Sequence, residues 1–163
     1  MKNLFKLFGI IALVAIIGFS MTACATTGVP QIDYSKIIDA PKISKDDLFI
    51  KTNLWAVGYF NKADSVIEYS DKTAGIISGK FIGDTHSIMG GLSGSQAVKS
   101  VFTISVKDEK VKLDLKPAEL ITYNGYGQRI ATSSAFVKNE EIIAEYNATL
   151  ESLKKALINS SNW

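Results

Sequence analysis

One stretch near the middle of the chain constrains the fold more than any other. From Val101 to Lys107 apolar and polar residues alternate, with Phe102, Ile104 and Val106 on one face and Thr103, Ser105 and Lys107 on the other. After Asp108-Glu109-Lys110 the alternation resumes, with Val111, Leu113 and Leu115 set against Lys112, Asp114 and Lys116. A period of two with one apolar face predicts a half-buried antiparallel hairpin. Such a sheet must have its apolar side covered.

Two amphipathic segments can supply the cover. The first opens at Ser44, a candidate N-cap, with Asp46 and Asp47 in the first turn, where the helix dipole favours negative charge. Leu48, Trp55 and Tyr59 fall on one stripe, which Phe49, Ala56 and Phe60 widen. This helix should stop near Asn61, with Trp55 largely buried between it and the sheet. The second begins around Asn139, carries Glu140 and Glu141 in its first turn, and aligns Ile142, Tyr146, Leu150, Leu153 and Leu157. Lys154 and Lys155 lie near its end, as the dipole favours.

Around these lie shorter elements. Tyr34 to Asp39 reads as a first strand, Ser65 to Ser70 as a second and Ala74 to Ile82 as a third, with a turn at Asp71-Lys72. Gly83 to Gln96, with Gly90, Gly91 and Gly94, reads as a flexible loop. Pro117 to Lys138 is less regular and contains the turn sequence Tyr123-Asn124-Gly125-Tyr126. The order strand, helix, several antiparallel strands, helix predicts an α+β two-layer sandwich, its curved antiparallel sheet carrying both helices on one face.

The first residues follow different rules. Lys2 and Lys6 precede an uncharged, apolar run from Leu7 to Ala23 that closes on Met21-Thr22-Ala23-Cys24. This resembles the lipobox of bacterial lipoproteins, although Met21 stands where Leu is commoner. The resemblance implies cleavage before Cys24 and lipid on its thiol, in the bacterial cell envelope, at an outer membrane or the periplasmic face of a membrane. The competing reading is an uncleaved anchor, since the run is close to the minimum of about 17 residues that spans a bilayer. The expected organisation is a signal peptide over 1–23, a lipidated tether over 24–33 and a single domain over 34–163.

Without residues 1–23 the count of basic residues falls from 18 to 18 − 2 = 16, against 16 acidic ones. A balanced domain with one arginine, Arg129, is poorly equipped for nucleic acid. Cys24 is the only cysteine, so its acylation would leave no thiol for disulfides or catalysis.

Ser44-Lys45-Asp46-Asp47-Leu48, Trp55, Phe60, Ser65-Val66-Ile67-Glu68-Tyr69, Asp71-Lys72, Ala74-Gly75-Ile76-Ile77-Ser78-Gly79-Lys80 and Val106-Lys107-Asp108 together resemble a bacterial domain of unknown function described as having a TBP-like fold. The similarity covers roughly residues 36–116 and the closing helix. It implies a TBP-like sheet backed by two helices, and no activity or catalytic residues. Glu109 departs from the pattern, which tends to have glycine there; this bears on the turn type, because glycine tolerates positive φ far better.

Few residues suggest chemistry. His86 is the only histidine, so a hydrolase acting on envelope material would need it as general base, with Ser87 or a distant serine as nucleophile. Gly75 to Lys80 is one residue short of a phosphate loop and reads as a strand. The carboxylate pairs at 46–47, 108–109 and 140–141 fall at helix starts and a turn, where structure accounts for them. No metal-ligand spacing and no cofactor motif is present. Tyr123, Asn124, Tyr126 and Arg129, with Gln128, combine aromatic faces and hydrogen-bonding groups in a loop suited to a small polar ligand. The polar sheet face, Thr103, Ser105, Lys107, Lys112, Asp114 and Lys116, could instead dock a protein. The sequence therefore favours a membrane-anchored, non-enzymatic binding module.

Overall fold

The computed structural model describes residues 28–60, 66–84, 86–87, 94–131 and 137–158. Residues 1–27, Cys24 among them, lie outside these. The elements are β1 (Tyr34–Asp39), α1 (Lys45–Tyr59), β2 (Val66–Asp71), β3 (Ile76–Ile82), β4 (His86–Ser87), β5 (Gly94–Lys107), β6 (Lys110–Asn124), β7 (Arg129–Ile130) and α2 (Asn139–Ile158). The main sheet runs β1-β6-β5-β3-β2, every pairing antiparallel; short β4 joins β5, and short β7 joins β6.

Both helices cover one face of this sheet, giving the expected α+β sandwich. Leu48, Ala56 and Phe60 from the α1 segment, and Ile142, Tyr146, Leu153 and Leu157 from α2, share one buried cluster with Phe102, Ile104, Val111 and Leu113. Each large apolar side chain so buried contributes roughly 1.5–3 kcal/mol. Phe60 anchors the centre, its ring stacked on Phe102 at 4.3 Å and tilted against Phe81 at 5.0 Å. Among the described residues no helix is long and apolar enough to cross a membrane.

The start of α1 is capped as its sequence requires. Ser44 is extended (φ −66°, ψ 156°), its hydroxyl accepting from the Asp47 N–H. Its inner line is Leu48, Thr52, Ala56 and Phe60, at spacings of four. Trp55 departs from expectation. Small Thr52 and Ala56 let the helix approach the sheet, which turns Trp55 toward α2. There it is half-buried, stacks on Tyr59 at 4.9 Å, and donates from Nε1 to Ser152 Oγ at 3.0 Å.

Two segments read as irregular belong to the sheet. The stretch from Gly83 to Gln96 contains β4, paired His86 to Gln96, and the first residues of β5. Likewise, β6 continues through Pro117 to Asn124. Proline cannot donate to a ladder and is tolerated inside sheets at irregularities. Here the register shifts between Lys99 and Ser100, which faces Pro117, and the pairing then resumes at Lys99 with Glu119.

The β5–β6 hairpin turns at Asp108-Glu109, where Glu109 has φ +61°. That conformation disfavours a residue with a Cβ, and three contacts hold it. The Glu109 N–H donates to Ile43 O at 3.1 Å, its carbonyl accepts from Ala40 N–H at 2.8 Å, and its carboxylate accepts from Lys42 N–H at 3.0 Å.

Candidate functional site

With both helices on one side, the other face of the sheet is left without a helix. The pairing sets its side chains in rows. One row reads Ser35, Asp114, Thr103, Ser78 and Tyr69; the next reads Ile37, Lys112, Ser105, Ile76 and Asp71; a third reads Lys116, Val101, Lys80 and Val66. Ile37 is 63% exposed, Val66 53% and Tyr69 48%, an apolar content that the hairpin alternation alone does not reveal.

The charges on this face are matched at short range. Lys112 pairs with Asp114 at 2.9 Å, Lys80 with Glu68 at 2.7 Å and Lys116 with Asp33 at 3.4 Å. Arg129 pairs with Glu119 farther along β6. Each such exposed pair contributes little to stability. Asp71 is occupied as well: the Ala74 N–H and then the Tyr69 hydroxyl hold its carboxyl below the usual range. At the hairpin tip of the same face Lys107 and Lys110 stand opposite each other in register.

A groove of about 470 Å³ opens at the corner where β1 meets β6. Val101 and Ala118 are its accessible apolar residues, with Leu115 and Pro117 buried behind them, and Asp33, Ser35, Thr103, Asp114 and Lys116 form its polar margin. Thr103, Asp114 and Lys116 were legible as members of a polar face. Val101 lies one residue before Phe102 and two before Thr103, so the same alternation places it on this face. Asp33, Ser35, Pro117 and Ala118 had no local signal, because the groove depends on β1 pairing across to β6.

The Tyr123–Arg129 turn is built differently. Asn124 Oδ1 accepts from the N–H groups of Tyr126 (3.0 Å) and Gln128 (2.9 Å), while its Nδ2 donates to Gln128 Oε1 at 3.0 Å. Arg129 lies beside Tyr123 in register and is engaged by Glu119. Tyr126 is 91% exposed. Asn124 and Arg129 are thus committed to the hairpin, and Tyr126 presents an open aromatic face.

His86 is carried by β4, its Nδ1 3.6 Å from Glu141 Oε2, beyond hydrogen-bonding distance. The Ser87 side chain lies outside the described residues. A second cavity, about 280 Å³, is lined by Tyr59, Phe60, Phe81, Ile82, Asp84, Glu145 and Ala148, without a histidine or a serine. Among the described residues no group of three or more His, Cys, Asp or Glu side chains could hold a metal ion.

The model of a family described as a domain of unknown function with TBP-like fold matches residues 34–119. No curated protein matches the sequence. Among crystal structures, a DUF4468 family protein from Bacteroides ovatus is similar with a TM-score of 0.55 and 15% identity, over 85% of this chain and 95% of that one. A TBP-like protein from Parabacteroides distasonis is similar with a TM-score of 0.57 and 14% identity, over 79% and 94%. At such identities the likeness concerns the fold, and a fold carries no function with it.

Proposed function

This chain belongs to the DUF4468 family, a domain of unknown function with a TBP-like fold, and on that footing we propose that it is a non-enzymatic binding module of the bacterial cell envelope, held on a membrane by lipid on Cys24. The observation that carries the binding reading is the uncovered sheet face. Rows of hydroxyls and paired charges alternate there with exposed Ile37, Val66 and Tyr69. Mixed faces of this kind suit protein partners better than polyanions, since a phosphate backbone needs an extended row of free cations and three of the lysines here are engaged by carboxylates. Tyr126, on the neighbouring hairpin, offers an additional contact for a protein or small polar ligand. The membrane attachment is supported by the sequence Met21-Thr22-Ala23-Cys24 after an uncharged apolar run.

Two experiments test the two halves separately. A photoreactive residue at Thr103, in intact cells, should give a discrete crosslinked product that the same group at Ile50, on the outer side of α1, does not. Absence of any specific product at Thr103 removes the binding reading. Feeding cells a palmitate analogue should label the wild type and spare Cys24→Ala; equal labelling of both removes the lipid anchor.

A further inference from the structure

Three lysines of the helix-free face are matched: Lys80 by Glu68, Lys112 by Asp114 and Lys116 by Asp33. Lys99, farther back along β5, stands opposite Glu119. The tip of the β5–β6 hairpin is different. Lys107 and Lys110 face each other there in register, both exposed. Directly opposed side chains of an antiparallel pair start about 4.5–5.5 Å apart, and like charges so placed repel. The carboxylates of the turn itself do not answer them. Asp108 is drawn to the Lys45 N–H at 2.8 Å and Glu109 to the Lys42 N–H at 3.0 Å, both around the start of α1. Asp39 stands opposite Lys110 on β1 without forming an ion pair with it. Among the described residues, neither Lys107 nor Lys110 has a carboxylate partner.

The next row along the same face begins at Ile37, which is 63% exposed, and continues through Lys112, Ser105 and Ile76. A polyanion needs a repeated row of cations to answer its repeated charges. A single free pair of cations beside an exposed aliphatic side chain instead suits one acidic position with an apolar neighbour. A carboxylate between the two ammonium groups would relieve their repulsion, and the neighbour would cover Ile37. We infer that the hairpin tip receives an aspartate or glutamate side chain of a partner protein, in a segment that lays an apolar side chain on Ile37. The inference rests on the binding reading above and names the chemistry of that partner. Because the neighbouring lysines are already matched, the tip fixes where on the face the partner's acid lies, and so sets its register.

The test places a photoreactive residue at Ser105, two residues from Lys107 on the same face, in the full chain in intact cells. Mass spectrometry should map the crosslink to a partner segment that contains aspartate or glutamate. Lys107→Gln combined with Lys110→Gln should reduce the product about tenfold. Lys107→Arg combined with Lys110→Arg, which keeps both charges, should retain it, as should Lys155→Gln near the end of α2. The denaturation midpoint of the double glutamine variant should stay level or rise, as the loss of a repulsive pair requires. A fallen midpoint, a product indifferent to the glutamine pair, a crosslink only to phospholipid or nucleic acid, a partner segment without an acidic residue, or a product at Thr103 with none at Ser105 each overturns the inference, and the Thr103 product then decides the binding reading by itself. No product at either position removes the binding reading, and the tip assignment with it.

Discussion

The backbone N–H of Lys45 donates to the Asp108 carboxylate at 2.8 Å, tying the first turn of α1 to the tip of the β5–β6 hairpin. The same lysine reaches with Nζ to Thr73 O at 2.7 Å, in the β2–β3 turn. Lys72 in turn pairs with Asp46 at 2.9 Å. One residue thus joins the helix start to both hairpin tips. Lys45, Asp46, Lys72, Gly75 and Asp108 all belong to the pattern by which the chain resembles its family. At this joint those residues are engaged with one another, so that part of the pattern describes how the fold is fastened.

Removing the carboxylate at the joint should be costly for its exposure. Asp108→Ala leaves the Lys45 N–H without its charged acceptor at a helix N-terminus, and should destabilise by about 1–2 kcal/mol. Chemical denaturation measures this; a loss within about 0.5 kcal/mol, the scale of ordinary surface substitutions, would contradict it.

Gly79 should tolerate no side chain. A Cβ there would stand 2.2 Å from Val66 O, 2.9 Å from Ile67 Cα and 2.9 Å from Phe102 Cε1. Two of those atoms are backbone, so β2 itself would have to move. Gly79→Ala should cost at least about 1–3 kcal/mol, read as a lowered denaturation midpoint, whereas Gly58→Ala, with nothing within 4 Å, should not destabilise.

Trp55 separates two effects. Trp55→Phe removes the bond to Ser152 and should cost about 1 kcal/mol. Trp55→Ala also removes packing against Tyr59 and Phe60, and should fall near the lower end of the roughly 3–5 kcal/mol seen for buried aromatics. If Ser152→Ala weakens the wild type as much as it weakens Trp55→Phe, the hydrogen bond is not the coupling between the helices.

Tyr146 should make the fold sensitive to alkali. Burial, chiefly, pushes its hydroxyl from 10.0 up to about 12, while the 2.7 Å hydrogen bond with Ser100 acts the other way. Below pH 10 both folded and unfolded chains hold the proton, and the full contribution is present. Between about pH 10 and about pH 12 the unfolded chain has released a proton that the folded chain keeps, so stability falls as pH rises. Tyr146→Phe should flatten this part of the stability–pH curve, at the expense of the Ser100 bond. An unchanged slope would show that other tyrosines and lysines govern it.

The layer arrangement was legible because the signals that create it are local. Alternation at 101–116, the cap at Ser44 and the stripe through Ile142, Tyr146, Leu150, Leu153 and Leu157 each act within one element. The ends of the long strands were not legible. Pro117 interrupts the alternation of β6, and only the irregular register opposite Ser100 explains how the strand continues. Gly94 resembles loop sequence, yet β5 begins there because it pairs with Asn124, and Gln96 Nε2 then donates to Thr122 Oγ1 in a buried contact. In α1, apolar residues occupy several sides, including exposed Ile50, Leu54 and Val57, so periodicity could not decide between Trp55 and Thr52 for the inner line. The groove required the pairing of β1 with β6, a relation between residues 115 − 34 = 81 positions apart in sequence at Tyr34 and Leu115, far beyond any pattern within one element.

The short-range matching of lysines with carboxylates on the helix-free face has a kinetic meaning. Adjacent opposite charges behave at a distance as small dipoles, whose field fades within a Debye length of about 8–10 Å. A partner of the proposed kind, approaching the paired part of this face, would therefore not be guided to it from afar. Its arrival would follow the unsteered regime of about 10⁵–10⁶ M⁻¹ s⁻¹ and change little with added salt. With the domain held at a membrane, as proposed, encounter would depend on confinement to two dimensions and on how long a collision lasts.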